Sequence, residues 1–161
     1  MRHGFSLALV ICLLASLIAG PALASHYAVA DIPSLIKEAD AAKLAKAGVT
    51  TTEELLQRGA TAKDRKALVK ASGLPASTIM DLARRCDLLR IKGIGPEMVL
   101  LLEASGVKTT LDLSKKEAAA LTTTADAANK VKKITEKPPA ESQFQDWIEQ
   151  AKKLAPMIEG K

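Results

Sequence analysis

Two histidines, two cysteines and four aromatic residues among 161 positions leave this chain short of most of the side chains that do chemistry. His3 lies at the extreme N-terminus and His26 just beyond an apolar leader, so no histidine is left for a core site. Cys12 falls inside the apolar N-terminal run. Cys86 is then the only cysteine beyond it, which excludes an intramolecular disulfide, and it shares an apolar helical face that marks a buried small hydrophobe rather than a reactive thiol. No metal-ligand spacing is present, and no glycine-rich phosphate loop with its lysine. Glu53 and Glu54 are adjacent, but Glu54 stands where a helix start wants an acid. The expectation is a protein without catalytic residues, metal, cofactor or small-molecule substrate. A dense basic stripe is also missing, because lysines alternate with acids along the chain.

The N-terminus reads as an export signal. Arg2 precedes an apolar run over residues 7–19, and Ala22, Leu23 and Ala24 form a small-x-small cleavage site. That run is shorter than the about 20 residues a membrane-spanning helix needs. Cleavage after Ala24 is expected, giving a periplasmic or secreted chain of 137 residues without a transmembrane segment. Loss of Arg2 leaves 22 basic against 18 acidic residues, a modest net charge of +4.

What remains is rich in alanine, leucine and lysine and poor in β signals, which predicts an all-α fold. Gly48, Val49, Thr51 and Glu54 match Gly106, Val107, Thr109 and Asp112 at a constant offset of 58, each set reading as a helix stop followed by a capping box. Ile79, Leu82, Ala83, Cys86 and Leu89 are answered at an offset of 65 by Phe144, Trp147, Ile148, Ala151 and Leu154. The chain therefore reads as a degenerate duplication, with pseudo-repeats over 32–89 and 91–154 inside one compact helical domain over 32–155. About seven extra residues are expected in the second copy, around Lys137, Pro138 and Pro139. Residues 25–31 read as a flexible N-terminus and 156–161 as a C-terminal tail. Shorter helices are expected from about Ala39 to Ala47 and from Thr61 to Gly73. The helical spacing of Trp147 and Phe144 predicts a core anchor rather than a platform for stacking bases.

Lys92, Gly93, Ile94, Gly95 and Pro96 join the two copies. Gly93 and Gly95 tolerate positive φ, and Pro96 suits the first position of a helix. Leu35, Ile36 and Lys37 stand at the matching place in the first copy, so any hairpin of this kind is single. With Asp87, Leu88, Leu89, Arg90 and Ile91 before it and Leu101, Leu102, Gly106, Val107 and Thr109 after it, the region resembles the helix-hairpin-helix superfamily. Within it, the chain is similar to a bacterial family known as domain-of-unknown-function 4332. The resemblance implies a non-catalytic helical fold. It also implies DNA as a partner, with backbone N–H groups at the hairpin holding a phosphate regardless of base sequence. Arg90, Lys92 and Lys108 would then add charge, together with Arg84 and Arg85. Glu97 in the first turn argues the other way, because a carboxylate competes with phosphate for the positive helix end. Two readings stand open: a DNA contact at the hairpin, or a scaffold that binds an envelope protein and uses the hairpin only as a turn.

Overall fold

The computed structural model describes residues 26–160, so the expected signal segment lies outside the described residues. A 3₁₀ turn, Val29–Asp31, leads into eight α-helices: α1 Glu38–Lys46, α2 Thr52–Gly59, α3 Ala62–Ser72, α4 Ala76–Leu88, α5 Pro96–Ala104, α6 Thr110–Ser114, α7 Ala118–Lys132 and α8 Glu141–Lys153. Among the described residues the fold is all-helical, apart from one isolated β-bridge between Ala28 and Thr51. No helix among them is long and apolar enough to cross a membrane.

Local chemistry fixes where the helices begin. Thr51 Oγ1 accepts the Glu54 N–H at 3.2 Å while Glu54 Oε2 accepts the Thr51 N–H at 3.1 Å, so two N–H donors left over at the start of α2 are each satisfied by the other residue's side chain. The Thr50 N–H and hydroxyl, with the Thr51 N–H, hold the Glu54 carboxyl below its ordinary range. Thr109 and Asp112 build the same reciprocal pair at the start of α6, with both bonds at 3.0 Å. Thr61 caps α3 by accepting the Asp64 N–H at 3.1 Å.

The helices fall into two series of four. Counterparts α1 and α5 start 58 residues apart, α2 and α6 58, α3 and α7 56, and α4 and α8 65. Packing repeats as well: α2 lies on α4 as α6 lies on α8, and α3 lies on α4 as α7 lies on α8. The extra length of the second series is shared between helix and loop, since α7 has 15 residues where α3 has 11. No glycine interrupts the run Ala125, Asp126, Ala127, Ala128, so α7 continues a further turn. It ends at Lys133, which takes φ +52°, and the Asn129 side chain accepts the N–H groups of Ile134 and Thr135.

Both series drain into one core. Leu44, Leu55, Leu68 and Ile79 from the first join Leu101, Leu113, Phe144 and Ile148 from the second, all essentially without solvent contact. Ile36 and Ile94, equivalent at the offset of 58, are each 1% exposed and anchor their turns in this core. Helices α2 and α4 touch so closely that a Cβ at Gly59 would sit 2.6 Å from the Ala83 Cβ.

Two terminal segments depart from the sequence expectation. Residues 27–31, expected to be a flexible lead-in, pack: Val29 is buried and donates to Thr50 O at 2.8 Å, and Tyr27 exchanges bonds with the buried Thr52 through Thr52 N at 3.0 Å and Thr52 Oγ1 at 3.1 Å. Burial of Val29 and Ile32 supplies the stability that a polar lead-in lacks. Residues 156–160, within the tail expected over 156–161, do not trail away but form with Ala155 a strap packed on the domain. Glu159 donates from its N–H to Ala60 O at 2.9 Å, and Arg65 Nη2 donates to Glu159 O at 2.7 Å, so a carbonyl and a guanidinium of the first series hold the end of the second.

Candidate functional site

The hairpin divides cleanly into a part that points inward and a part that faces outward. Ile94 is buried, Gly95 and Pro96 are half-buried, and Lys92 and Gly93 are exposed. Gly93 takes φ +91°, a conformation that an L side chain rarely adopts. Gly95 takes φ −100° and ψ −177°, extended backbone open to any residue, so only the first glycine is conformationally required. Pro96 occupies the first turn of α5, as its missing N–H and fixed φ favour.

Helix α8 closes over the turn. Gln150 Oε1 accepts the Lys92 N–H at 3.0 Å, and Gln150 Nε2 donates to Lys92 O at 3.2 Å and to Asp146 Oδ2 at 2.8 Å. One amide side chain thus imitates a partner strand and takes both main-chain groups of Lys92. Ile94 N donates back to Ile91 O at 3.1 Å, which leaves a second hairpin N–H turned inward. Trp147 lies against Gly93 so closely that a Cβ there would meet the indole Nε1 at 3.1 Å. The remaining cleft, about 600 Å³, is lined by Lys92, Gly93, Ser142, Gln143, Asp146, Trp147 and Gln150. The lining carries one cation, Lys92, and one acid, Asp146, so its formal charges cancel and offer little to an anion.

The other basic residues named from the sequence lie elsewhere. Arg85 pairs with Glu103 at 2.9 Å and donates to Leu35 O at 2.6 Å, which ties α4 to α5 and to the first-series turn. Arg90 pairs with the buried Asp87 at 2.7 Å and donates to Ala155 O at 3.1 Å. Lys108 lines a different cavity, of about 460 Å³, together with Arg84 and Lys115 and beneath the strap. Of the expected phosphate-facing group, Lys92, Gly93, Ile94, Gly95 and Pro96 come together by chain continuity alone.

Two residues organise this region in ways the sequence reading did not give: Gln150, which it did not name, and Asp87, which it named only within the resemblance. Gln150 stands one turn after Trp147 and Asp146, so its place on the hairpin-facing stripe was visible in the spacing but its partner was not. Asp87 is 1% exposed, accepts the Thr110 N–H at 2.8 Å and the Thr110 hydroxyl at 2.9 Å, and so joins the end of α4 to the start of α6. Its signal is an acid within the apolar run Cys86, Leu88, Leu89, with Arg90 three residues on.

No three His, Cys, Asp or Glu side chains among the described residues gather as a metal-binding set. Cys86 is buried, and burial above all, with the Asp87 charge beside it, pushes its thiol up to about 12. A thiol raised that far carries roughly a thousandth of the ordinary thiolate at neutral pH. Iodoacetamide should therefore label Cys86 only as the chain unfolds in urea. Labelling of the native protein at the denatured rate would show that the α4 face is open.

The geometry of two helical series joined by one hairpin coincides with a sequence match. The family model described as Domain of unknown function (DUF4332) matches residues 34–154. The chain belongs to this family. The match begins just before the first-series turn at Ile36 and ends where α8 gives way to the strap, so the DUF4332 region contains the eight helices α1 to α8 of the described residues. Comparison with curated proteins and with solved structures gave no match.

Proposed function

We propose that this DUF4332 protein is an exported, non-enzymatic helical module that binds another protein of the cell envelope, and that its hairpin is a structural joint. The reading rests on one observation: α8 already engages the hairpin main chain, with Gln150 taking both main-chain groups of Lys92 and Trp147 packed against one side of the exposed Gly93. In helix-hairpin-helix proteins, which this turn resembles, the same backbone groups would have to be open to a nucleic acid. Glu97 adds a negative charge at the first turn of α5, where it complements the helix dipole and opposes an anion. The proposed export is supported by Arg2, the apolar run and the Ala22, Leu23, Ala24 site, and would make Ser25 the first residue of the mature chain.

The test is a titration of the chain starting at Ser25 against non-specific duplex DNA at 50 and 200 mM salt, with Lys92→Glu as control. No binding is expected at micromolar protein. A complex that weakens steeply with salt and is lost in the Lys92→Glu variant would overturn the reading and return the hairpin to DNA.

A further inference from the structure

The strap over residues 155–160 is held in a way that describes a ligand. Arg65 is 9% exposed, and its guanidinium donates to Gly59 O at 2.9 Å and Ala60 O at 2.7 Å at the end of α2. Its remaining amine reaches the strap and donates to Glu159 O at 2.7 Å. Ala60 O accepts the Glu159 N–H at 2.9 Å, and the Ala62 N–H at the start of α3 donates to Glu159 Oε2 at 3.3 Å. At the other end, Arg90 donates to Ala155 O at 3.1 Å. Between these polar anchors Met157 and Ile158 pack half-buried against the core. Most of these bonds go to strap main chain, which any extended peptide offers. Only the apolar pair and the acid after it are read as side chains.

The strap also leaves room. Beside it remains the cavity of about 460 Å³, with Arg84, Lys108 and Lys115 in its wall and Leu111, 41% exposed, at its edge. Asp112 in the same wall accepts the N–H groups of Lys108 and Thr109, and Asp87 is bound to Thr110 and Arg90, so both carboxylates are turned to the protein itself. Pro156 lines the cavity and brings nothing to the cations.

We propose that this groove is the docking site for an extended peptide of the protein partner, carrying two adjacent apolar residues followed by an acid and a second acid two residues upstream of the pair's end, with the strap as its resting occupant. The inference rests on the protein-binding reading and names the partner's chemistry. A tethered strap competes at an effective concentration of order millimolar, so a free peptide prevails only through contacts the strap does not make. A carboxylate in place of Pro156 would make them with Lys108 and Lys115, since Arg84 is already paired with Asp81 at 3.6 Å.

The test uses the full chain with Met157→Ser and Ile158→Ser, which loosen the strap and change no residue outside it. The probes are a labelled peptide with the sequence of residues 154–161 and the same peptide with Pro156→Glu. The first is expected to bind the loosened chain at least tenfold tighter than the unaltered chain. The second should bind tighter again, and lose that gain when the chain carries Lys108→Glu and Lys115→Glu. Absence of binding to a loosened chain that keeps its helical spectrum would overturn the proposal, as would elution as a dimer with exchanged straps. Should the loosened chain unfold, the unaltered chain is saturated with the Pro156→Glu peptide and the Glu159 amide is followed by hydrogen exchange. Faster exchange there is expected, and unchanged protection would overturn the proposal. Salt-sensitive duplex binding would remove the protein-binding reading by a separate measurement, leaving the peptide titration to be judged by itself.

Discussion

Trp147→Ala should lower the stability of the chain by about 3 to 5 kcal/mol, the usual loss when a large buried aromatic is truncated. Trp147 is 4% exposed and meets the fully buried Phe144 edge to face, with ring centroids 5.5 Å apart and planes at 87°. Such a pair contributes about 0.5 to 1.5 kcal/mol beyond the area it removes from water. The indole also lies against Gly93, so the cavity left by alanine opens beside the hairpin. Single domains are commonly stable by only about 5 to 15 kcal/mol, which makes this one substitution a large share of the whole. Urea denaturation followed by far-ultraviolet circular dichroism measures the loss. Hydrogen exchange at Lys92 and Ile94 should accelerate with it, because the helix that holds the turn is loosened. A loss below about 1 kcal/mol would mean that the tryptophan is not the anchor of α8.

The burial of Trp147 could be read from the chain because it stands where Leu82 stands in the first series, and both are buried, at 4% and 3%. Local signals of this kind carry far. The pairs Thr51 with Glu54 and Thr109 with Asp112 mark helix starts to the residue, since each closes a ring of bonds within four positions. Gly48 and Gly106 mark the matching stops, and the helical period marks which face of α4 and α8 is apolar. The family match over residues 34–154 rests on the same distributed pattern.

The site was harder to read, because its partners are distant in the chain. Gln150 and Lys92 lie 58 residues apart, Arg65 and Glu159 94 apart, and Arg85 and Leu35 50 apart. No local rule assigns an arginine to one carbonyl rather than another, so Arg84, Arg85, Arg90 and Lys108 looked like one group at the hairpin, while the packing sends Arg85 to Glu103, Arg90 to Asp87, and Arg84 with Lys108 to the cavity beneath the strap. The strap was misread for a related reason. Its bonds are made by its backbone, and a backbone leaves no mark in composition. The second-series lengthening was placed in the loop because Pro138 and Pro139 are obvious breakers, whereas an extra turn of helix has no such punctuation.

Asp87→Ala should be the costliest polar substitution, at about 3 to 5 kcal/mol, because removing one member of a buried ion pair leaves the other without compensation. Asp87 is 1% exposed, and its Oδ1 takes Arg90 at 2.7 Å while its Oδ2 takes both donors of Thr110. Alanine would strand a guanidinium that is 16% exposed and the first N–H of α6 together. Thr52, the counterpart of Thr110 in the first series, is bound instead by the backbone of Tyr27. The carboxylate therefore does for the second series what the N-terminal segment does for the first, and adds a link between the two. Asp87→Asn should cost less, about 1.5 to 3 kcal/mol, since its carbonyl still accepts from Thr110 and only the charge-assisted bond to Arg90 is lost. Trp147 fluorescence reports on the second series and circular dichroism on the whole chain, so urea titrations read by both measure the loss and any uncoupling. Combining Asp87→Asn with Thr110→Val should give a coupling of at least about 0.5 kcal/mol, as residues in one network do. Strict additivity would show that the two side chains are neighbours without being partners, and the joint between the series would then have to be carried by the apolar contacts of Leu88, Ile91 and Ile94.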